Sequence, residues 1–117
     1  MKIVMPYFGQ LSVNRYKIGK AGRPTNKTRP EVEMWMALLA DLVRAQNQTE
    51  KLKVPVTIQL RGKFKDQRIP DLNNLHKVTS DAIQAGLDIN DRDFRFEDLG
   101  YETGFREPVL EISIVGS

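Results

Sequence analysis

Val54-Pro55-Val56-Thr57-Ile58-Gln59-Leu60-Arg61 alternates apolar and polar residues, the period of a strand buried on one face. Extension to Phe64 puts Lys63 and Lys65 on the other side. Beyond it, Leu72, Leu75, Val78, Ala82 and Ile83 recur at three- and four-residue spacing, the stripe of a helix packed along one side. A half-buried strand followed by a one-sided helix predicts helices layered on a sheet. Working back toward the N-terminus, Val32, Trp35, Met36, Leu39, Leu42 and Val43 form a second helical stripe. This pattern predicts core packing rather than a cofactor box. Its start is read at Thr28-Arg29-Pro30-Glu31: a hydroxyl N-cap, a proline in the first turn and an acid at the capping-box position. Its end is expected near Gln46 to Gln48. Lys2 to Phe8 reads as a short strand ending at Gly9. Gln10 to Lys27 has no sustained apolar period and carries Gly19, Gly22 and Pro24, so it reads as a long basic loop. Working forward, Gly86 is expected to close the later helix as its C′ residue. Phe94 and Phe96 mark a third strand and Val109 to Val115 a fourth, with a turn at Thr103-Gly104. The expected architecture is one α+β domain spanning 1–117. It has a four-stranded mixed sheet, two helices on one face and the order β-α-β-α-β-β.

Composition narrows the function classes. At 117 residues the chain holds one core. It has no cysteine, which excludes disulfides, zinc–thiolate sites and a thiol nucleophile and fits a cytoplasmic protein. Any metal must then be held by oxygen ligands or by His76, the one histidine. No stretch approaches the roughly 18 apolar residues of a membrane span, and Met1 to Pro6 lacks the pattern of a secretory signal. The net charge of +3 is unevenly spread. Met1 to Pro30 carries seven basic residues (Lys2, Arg15, Lys17, Lys20, Arg23, Lys27, Arg29) and no acid. Asp88 to Glu111 carries eight acids against Arg92, Arg95 and Arg106. One end suits a polyanion and the other a cation, although a solvated loop with no partner explains the basic end equally simply.

The chemistry concentrates in Asp71-Leu72-Asn73-Asn74-Leu75-His76-Lys77, followed by Asp81 and Asn90-Asp91. Leu72 and Leu75 face the core, whereas Asn73 and Lys77, at i and i+4, project together from a different face of the same helix. Asp71 stands at the helix mouth and Asp91 at the start of the next strand. Each has an ordinary explanation: Asp71 as an N-cap, Asp91 as a turn residue, Lys77 as a surface lysine. The spacing of His76 turns it away from Asn73 and Lys77, to a surface or partly packed position. Gly19-Lys20-Ala21-Gly22 is too short and irregular for a phosphate-cradling loop.

The stretch resembles the signature of the RusA family of Holliday-junction resolvases, Asp-Leu-Asp-Asn-Leu-x-Lys. Asp71, Leu72, Asn74, Leu75 and Lys77 match it, and Asp81 matches the aspartate the family places four residues after the lysine. Asp91, in Ile89-Asn90-Asp91, falls where the family carries a third acid. Ser12-Val13-Asn14-Arg15-Tyr16 is similar to the family's early Ser-x-Asn-x-Tyr segment. The resemblance implies a RusA-like fold and a homodimeric, magnesium-dependent nuclease (manganese substituting) that cuts four-way DNA junctions in recombination and repair. It implies Asp71, Asn73, Lys77 and Asp91 as catalytic residues, with Asp71, Asn73 and Asp91 holding the metal. The backbone of branched DNA is expected to lie on Asn14, Arg15, Lys17, Lys20, Arg23, Lys27, Arg29, Lys63, Lys65 and Arg68. The departure is Asn73, which stands where the family has an aspartate. An amide oxygen coordinates magnesium without bringing negative charge and cannot act as a base. Three readings fit it: a branch tolerating a neutral ligand, an engineered inactive form, or a relative that binds junctions without cutting. Two further classes compete with the nuclease, namely a non-catalytic DNA- or RNA-binding protein and an α+β domain that engages a protein partner.

Overall fold

The structure, a computed structural model, describes every residue except Asn14, Ala21, Gly22 and Ile69; in 18–20 and 23–26 it describes the backbone but not the side chains. The strands are β1 (Lys2–Pro6), β2 (Lys17–Lys20), β3 (Arg23–Thr28), β4 (Val56–Lys63), β5 (Phe94–Glu102) and β6 (Val109–Val115). The helices are α1 (Pro30–Glu50) and α2 (His76–Leu87). Three short 3-10 turns lie at Gly9–Leu11, Leu72–Leu75 and Asp91–Asp93.

The main sheet has four strands in the order β1-β6-β4-β5. β6 pairs antiparallel with both β1 and β4, while β4 pairs parallel with β5, so the sheet is mixed as expected. The parallel pair requires a crossover, and α2 provides it. Strict alternation on β4 buries Val56, Ile58 and Leu60, and their partners on β6, Ile112 and Ile114, are buried with them. Val32, Trp35, Leu39 and Val43 of α1 and Val78, Ala82 and Ile83 of α2 close the same core. Leu60, Leu75, Leu110 and Ile112 are wholly shielded from water, each worth roughly 1.5–3 kcal/mol of transfer energy. Trp35 Nε1–H donates to the Pro6 carbonyl at 2.7 Å, joining α1 to the end of β1.

Several boundaries differ from the sequence reading. The segment expected to be a basic loop contains an antiparallel hairpin, β2–β3, with Lys17 opposite Thr28 and Lys20 opposite Arg23. Its sequence, Lys17–Lys20 and Arg23–Thr28, has no apolar alternation, so hydrophobic period gives no sign of it. Thr28 is therefore a strand residue. The N-cap of α1 is Arg29, in extended conformation and with no side-chain capping bond, and Pro30 occupies the first turn. α1 runs to Glu50, past the expected Gln46 to Gln48, and stops at Lys51 in the left-handed region (φ 51°). Leu42, expected in the core, is exposed, because α1 packs on a narrower stripe that includes Ala40. β4 begins at Val56, and Val54 is exposed.

Gly86 lies inside α2 and does not cap it. A Cβ there would stand 2.7 Å from the Ala40 carbonyl oxygen and 3.0 Å from Val43, so this glycine lets the two helices touch. Asp88, with φ 57°, closes α2 instead.

Candidate active site

The run Asp71 to Lys77 is not one α-helix. Asp71 is extended, and its carboxylate accepts from the Asn73 N–H at 3.1 Å, the expected N-cap bond. Leu72–Leu75 then forms a 3-10 turn, and α-geometry begins only at His76. A 3-10 turn advances three residues rather than 3.6. The i, i+4 relation expected to align Asn73 with Lys77 therefore does not apply. Leu72 and Leu75 are buried as expected and anchor the turn on the core.

One segment remote in sequence meets this turn, and a second meets the far end of α2. The Val13 N–H donates to the Asn74 carbonyl at 2.8 Å, so the early 12–16 segment lies against the Asp71 stretch. Tyr16 is buried, and its carbonyl accepts from the Arg29 N–H at 2.9 Å. At the other end of α2, the Asp91 N–H donates to Gln84 Oε1 at 3.3 Å, which ties the turn before β5 to the helix.

Lys77 is the electrostatic meeting point. Its ammonium donates to Asp81 Oδ1 at 3.1 Å. That hydrogen bond and the charge of Asp81 raise the Lys77 pKa above its ordinary value, with Tyr16 and Asp91 adding to the rise and desolvation opposing it. Asp81, one helical turn along, is thus the side chain that meets Lys77.

Asp71 faces elsewhere. It lines a cleft of about 380 Å³ with Pro70, Leu72, Asp98, Gly100 and Tyr101, and Asn73, Lys77 and Asp91 are not among its walls. Sequence reasoning did not single out Asp98 or Tyr101. Leu60 pairs with Asp98 and Gly62 with Tyr101, so Leu99 and Gly100 together oppose Arg61 across an irregularity in β5. Asp98 and Tyr101 are three apart and would normally point to opposite faces; the bulge returns both to the helix side. Gly100, at φ 93°, supplies the backbone conformation this needs. The His76 ring stacks on Phe96 at 4.2 Å and 17°, and its Nε2 lies 2.8 and 3.0 Å from the two Asp98 oxygens. His76 is partly packed, as expected, but it holds Asp98 in place. Nothing in a spacing rule links positions 76 and 98, because the contact is made between the first residue of α2 and β5.

Among the described residues no three His, Cys, Asp or Glu side chains converge as a group able to hold an ion. Asp71, Asn73 and Asp91 offer two carboxylates and an amide. That donor set does not fit an ion caged by protein alone. It fits magnesium that keeps waters and takes further oxygens from a substrate phosphate.

The basic residues are dispersed. Arg15 and Lys17 are exposed around buried Tyr16, and Lys17 Nζ stands 5.6 Å from the Tyr16 ring centre. Arg29 Nε donates to the Arg15 carbonyl at 2.6 Å. Lys27, Lys65 and Arg68 are exposed. Lys63 points away from the helices, as the alternation predicts, and pairs with Glu111 at 3.6 Å. Asn14 lies outside the described residues, as do the side chains of Lys20 and Arg23. No helix among the described residues is long and apolar enough to cross a membrane. No protein-family model matches the chain, and no curated protein matches it significantly in sequence.

Proposed function

We propose that the chain is a magnesium-dependent, structure-selective DNA endonuclease of the RusA type that resolves four-way junctions in recombination and repair. One observation carries the reading: the 12–16 segment meets the Asp71–Lys77 stretch and Asp91 meets α2, although the three are far apart in sequence. These are the segments in which the resemblance to the family lies. The family resemblance assigns Asp71, Asn73 and Asp91 to a magnesium ion completed by waters and phosphate oxygens. Asp71 lies on the cleft beside Asp98 and Asp91 against Gln84, so the ion and the DNA would have to draw the three together. When bound, the ion supplies a polarised phosphate and an activated water. Lys77, kept cationic by Asp81, neutralises charge on the phosphate in the transition state. Arg15, Lys17, Lys27, Arg29, Lys65 and Arg68 contact the DNA backbone, with Asn14, Lys20, Arg23 and Lys63 completing the footprint. A homodimer matches the two-fold symmetry of a junction. Met34, Leu38 and Leu42, exposed in a row along α1, give such a dimer an apolar contact.

Asn73 favours a second reading, in which the chain binds branched DNA and cuts it poorly or not at all. Both readings are tested by a cleavage assay on four-way, forked and linear DNA, with and without magnesium, beside Asn73→Asp. The parent should bind junctions and cut slowly, or only with high magnesium or with manganese. Asn73→Asp should cut faster in ordinary magnesium. Cleavage absent from both proteins despite tight junction binding leaves the binding reading alone. No preference for junctions over linear duplex overturns both.

A further inference from the structure

The cleft bounded by Asp71 and Asp98 contains groups that phosphate binding does not use. Its rim residue Tyr101 is 47% exposed, and one contact of its ring is with Phe64, at 6.4 Å and 36°. Phe64 in turn meets Tyr7 edge-on at 4.8 Å, so Tyr101 ends a row of three rings and is held at the surface by it. Pro70 and Leu72 form an apolar wall, and Gly100 presents no side chain. Among the described residues no cation lines the cleft, and its charged groups are the carboxylates of Asp71 and Asp98. Asp98 is fixed by His76, which is itself stacked on Phe96.

Apart from Asp71, which the proposed metal site also claims, these features favour a flat ligand that carries N–H donors. The Asp98 carboxylate accepts from such donors, and every nucleobase carries one on its edge. An exposed aromatic ring stacks on a base irrespective of sequence. A volume of about 380 Å³ lies in the range of small-ligand clefts, roughly 300–1,000 Å³. It has no room for a stacked duplex. We infer that the cleft is a nucleobase pocket, in which Tyr101 stacks on a single unstacked base next to the branch point while Asp98 accepts from that base's N–H edge.

The inference rests on the junction-binding reading and adds a structural basis for junction selectivity. Bases in linear duplex are paired and stacked, and extruding one costs a few kcal/mol. At a branch point stacking is already interrupted. The pocket therefore rewards branched DNA over linear DNA without reading sequence. The bulge at Leu99–Gly100, which brings Asp98 and Tyr101 to one side, is the feature of the fold that builds it.

The test is a thermodynamic cycle on the full chain. Binding is measured to a four-way junction and to the same junction with abasic sites at the branch-point nucleotides, each with the parent, Tyr101→Ala and Tyr101→Phe. Tyr101→Ala should weaken binding to the intact junction by roughly 5- to 150-fold, the range that base–aromatic stacking supports. It should leave linear-duplex binding unchanged and have no effect on the abasic junction. Tyr101→Phe, which keeps the ring, should bind like the parent. Equal losses for Tyr101→Ala on intact and abasic junctions, or no loss on either, overturn the pocket while leaving junction binding by the parent intact. Should the parent not discriminate between intact and abasic junctions, the pocket is refuted without any variant. If the parent binds junction no better than duplex, the functional reading falls together with the pocket.

Discussion

Two neighbourhoods share the start of α2 and differ in how they were made. Lys77 pairs with Asp81, and Tyr16 and Asp91 add to the rise of its pKa; around Asp71 lie Asp98, Gly100 and Tyr101. In the first, the main partner is four residues along one helix, a relation visible in any sequence that keeps helical period. In the second, the partners come from β5 and face the cleft because a bulge reverses the alternation of the strand. The first pairs one ammonium with a carboxylate and is the place proposed for phosphate chemistry. The second joins two carboxylates to an aromatic rim and is the place proposed for a base. Both meet at the 3-10 turn Leu72–Leu75, so one short turn with two buried leucines orients both kinds of chemistry.

Removing the shared support should have the largest effect. Leu75 is wholly buried under the turn, and Leu75→Ala should cost roughly 2–5 kcal/mol, measured by denaturant unfolding. Both neighbourhoods should fail together, with junction binding and cleavage lost in parallel. A loss below about 1 kcal/mol, outside the usual range for such a truncation, would show that the turn does not hold them.

Asp71→Asn and Asp91→Asn separate the neighbourhoods next. Each removes one of the two carboxylates left to the proposed metal. Each should lower magnesium-dependent nicking by about 100-fold or more, a loss comparable to removing a transition-state contact. Junction affinity should stay within about threefold, since an acid near phosphates contributes no attraction. If only Asp71→Asn affects nicking, Asp91 serves Lys77 and the turn rather than the metal.

A smaller effect is expected from the basic hairpin region. Lys17→Ala, Arg23→Ala and Lys27→Ala combined should weaken binding to every DNA shape alike. The slope of log affinity against log salt should drop by up to about 0.9 per lost contact. Arg29 is left in place because its guanidinium ties down the Arg15 carbonyl. A loss confined to junctions would place this region at the branch point instead of on the flanking arms.

The smallest change is expected from Lys77→Met measured as stability. Its partner Asp81 holds the Lys77 pKa above the ordinary 10.5. A raised lysine pKa means that the folded state binds the proton more tightly, so the stabilisation is complete below the unfolded value and disappears as pH rises through the folded value. The pair is solvent-exposed, so at neutral pH it should contribute only about 0.3–0.5 kcal/mol. Thermal unfolding of parent and variant should differ slightly at pH 7 and converge at strongly alkaline pH. Nicking, in contrast, should fall far more than stability. Parallel losses of the two would make Lys77 an ordinary surface lysine.

The sequence by itself determined the parts governed by short-range period. The alternation from Val56 to Leu60 produced β4, the stripes from Val32 and from Leu72 produced the two helices, and the order of elements with β6 at the end produced an α+β domain. The cap at Asp71 was also legible, since it depends on a few neighbouring residues. The contact of Asp91 with Gln84, near the far end of α2, was not. What lacked a period was not legible. The hairpin β2–β3 has no apolar alternation in its sequence, and the 3-10 turn at Leu72–Leu75 looks like a helix when only its leucines are read. Gly86 resembled a helix end because glycine usually marks one, whereas here it marks the point where α2 touches Ala40 of α1. The pairing of His76 with Asp98 and the placement of Tyr101 in the cleft were decided only by tertiary structure. Those contacts join residues on separate elements through strand register, and a single bulge moves the register by one residue and with it the face on which every later side chain lies.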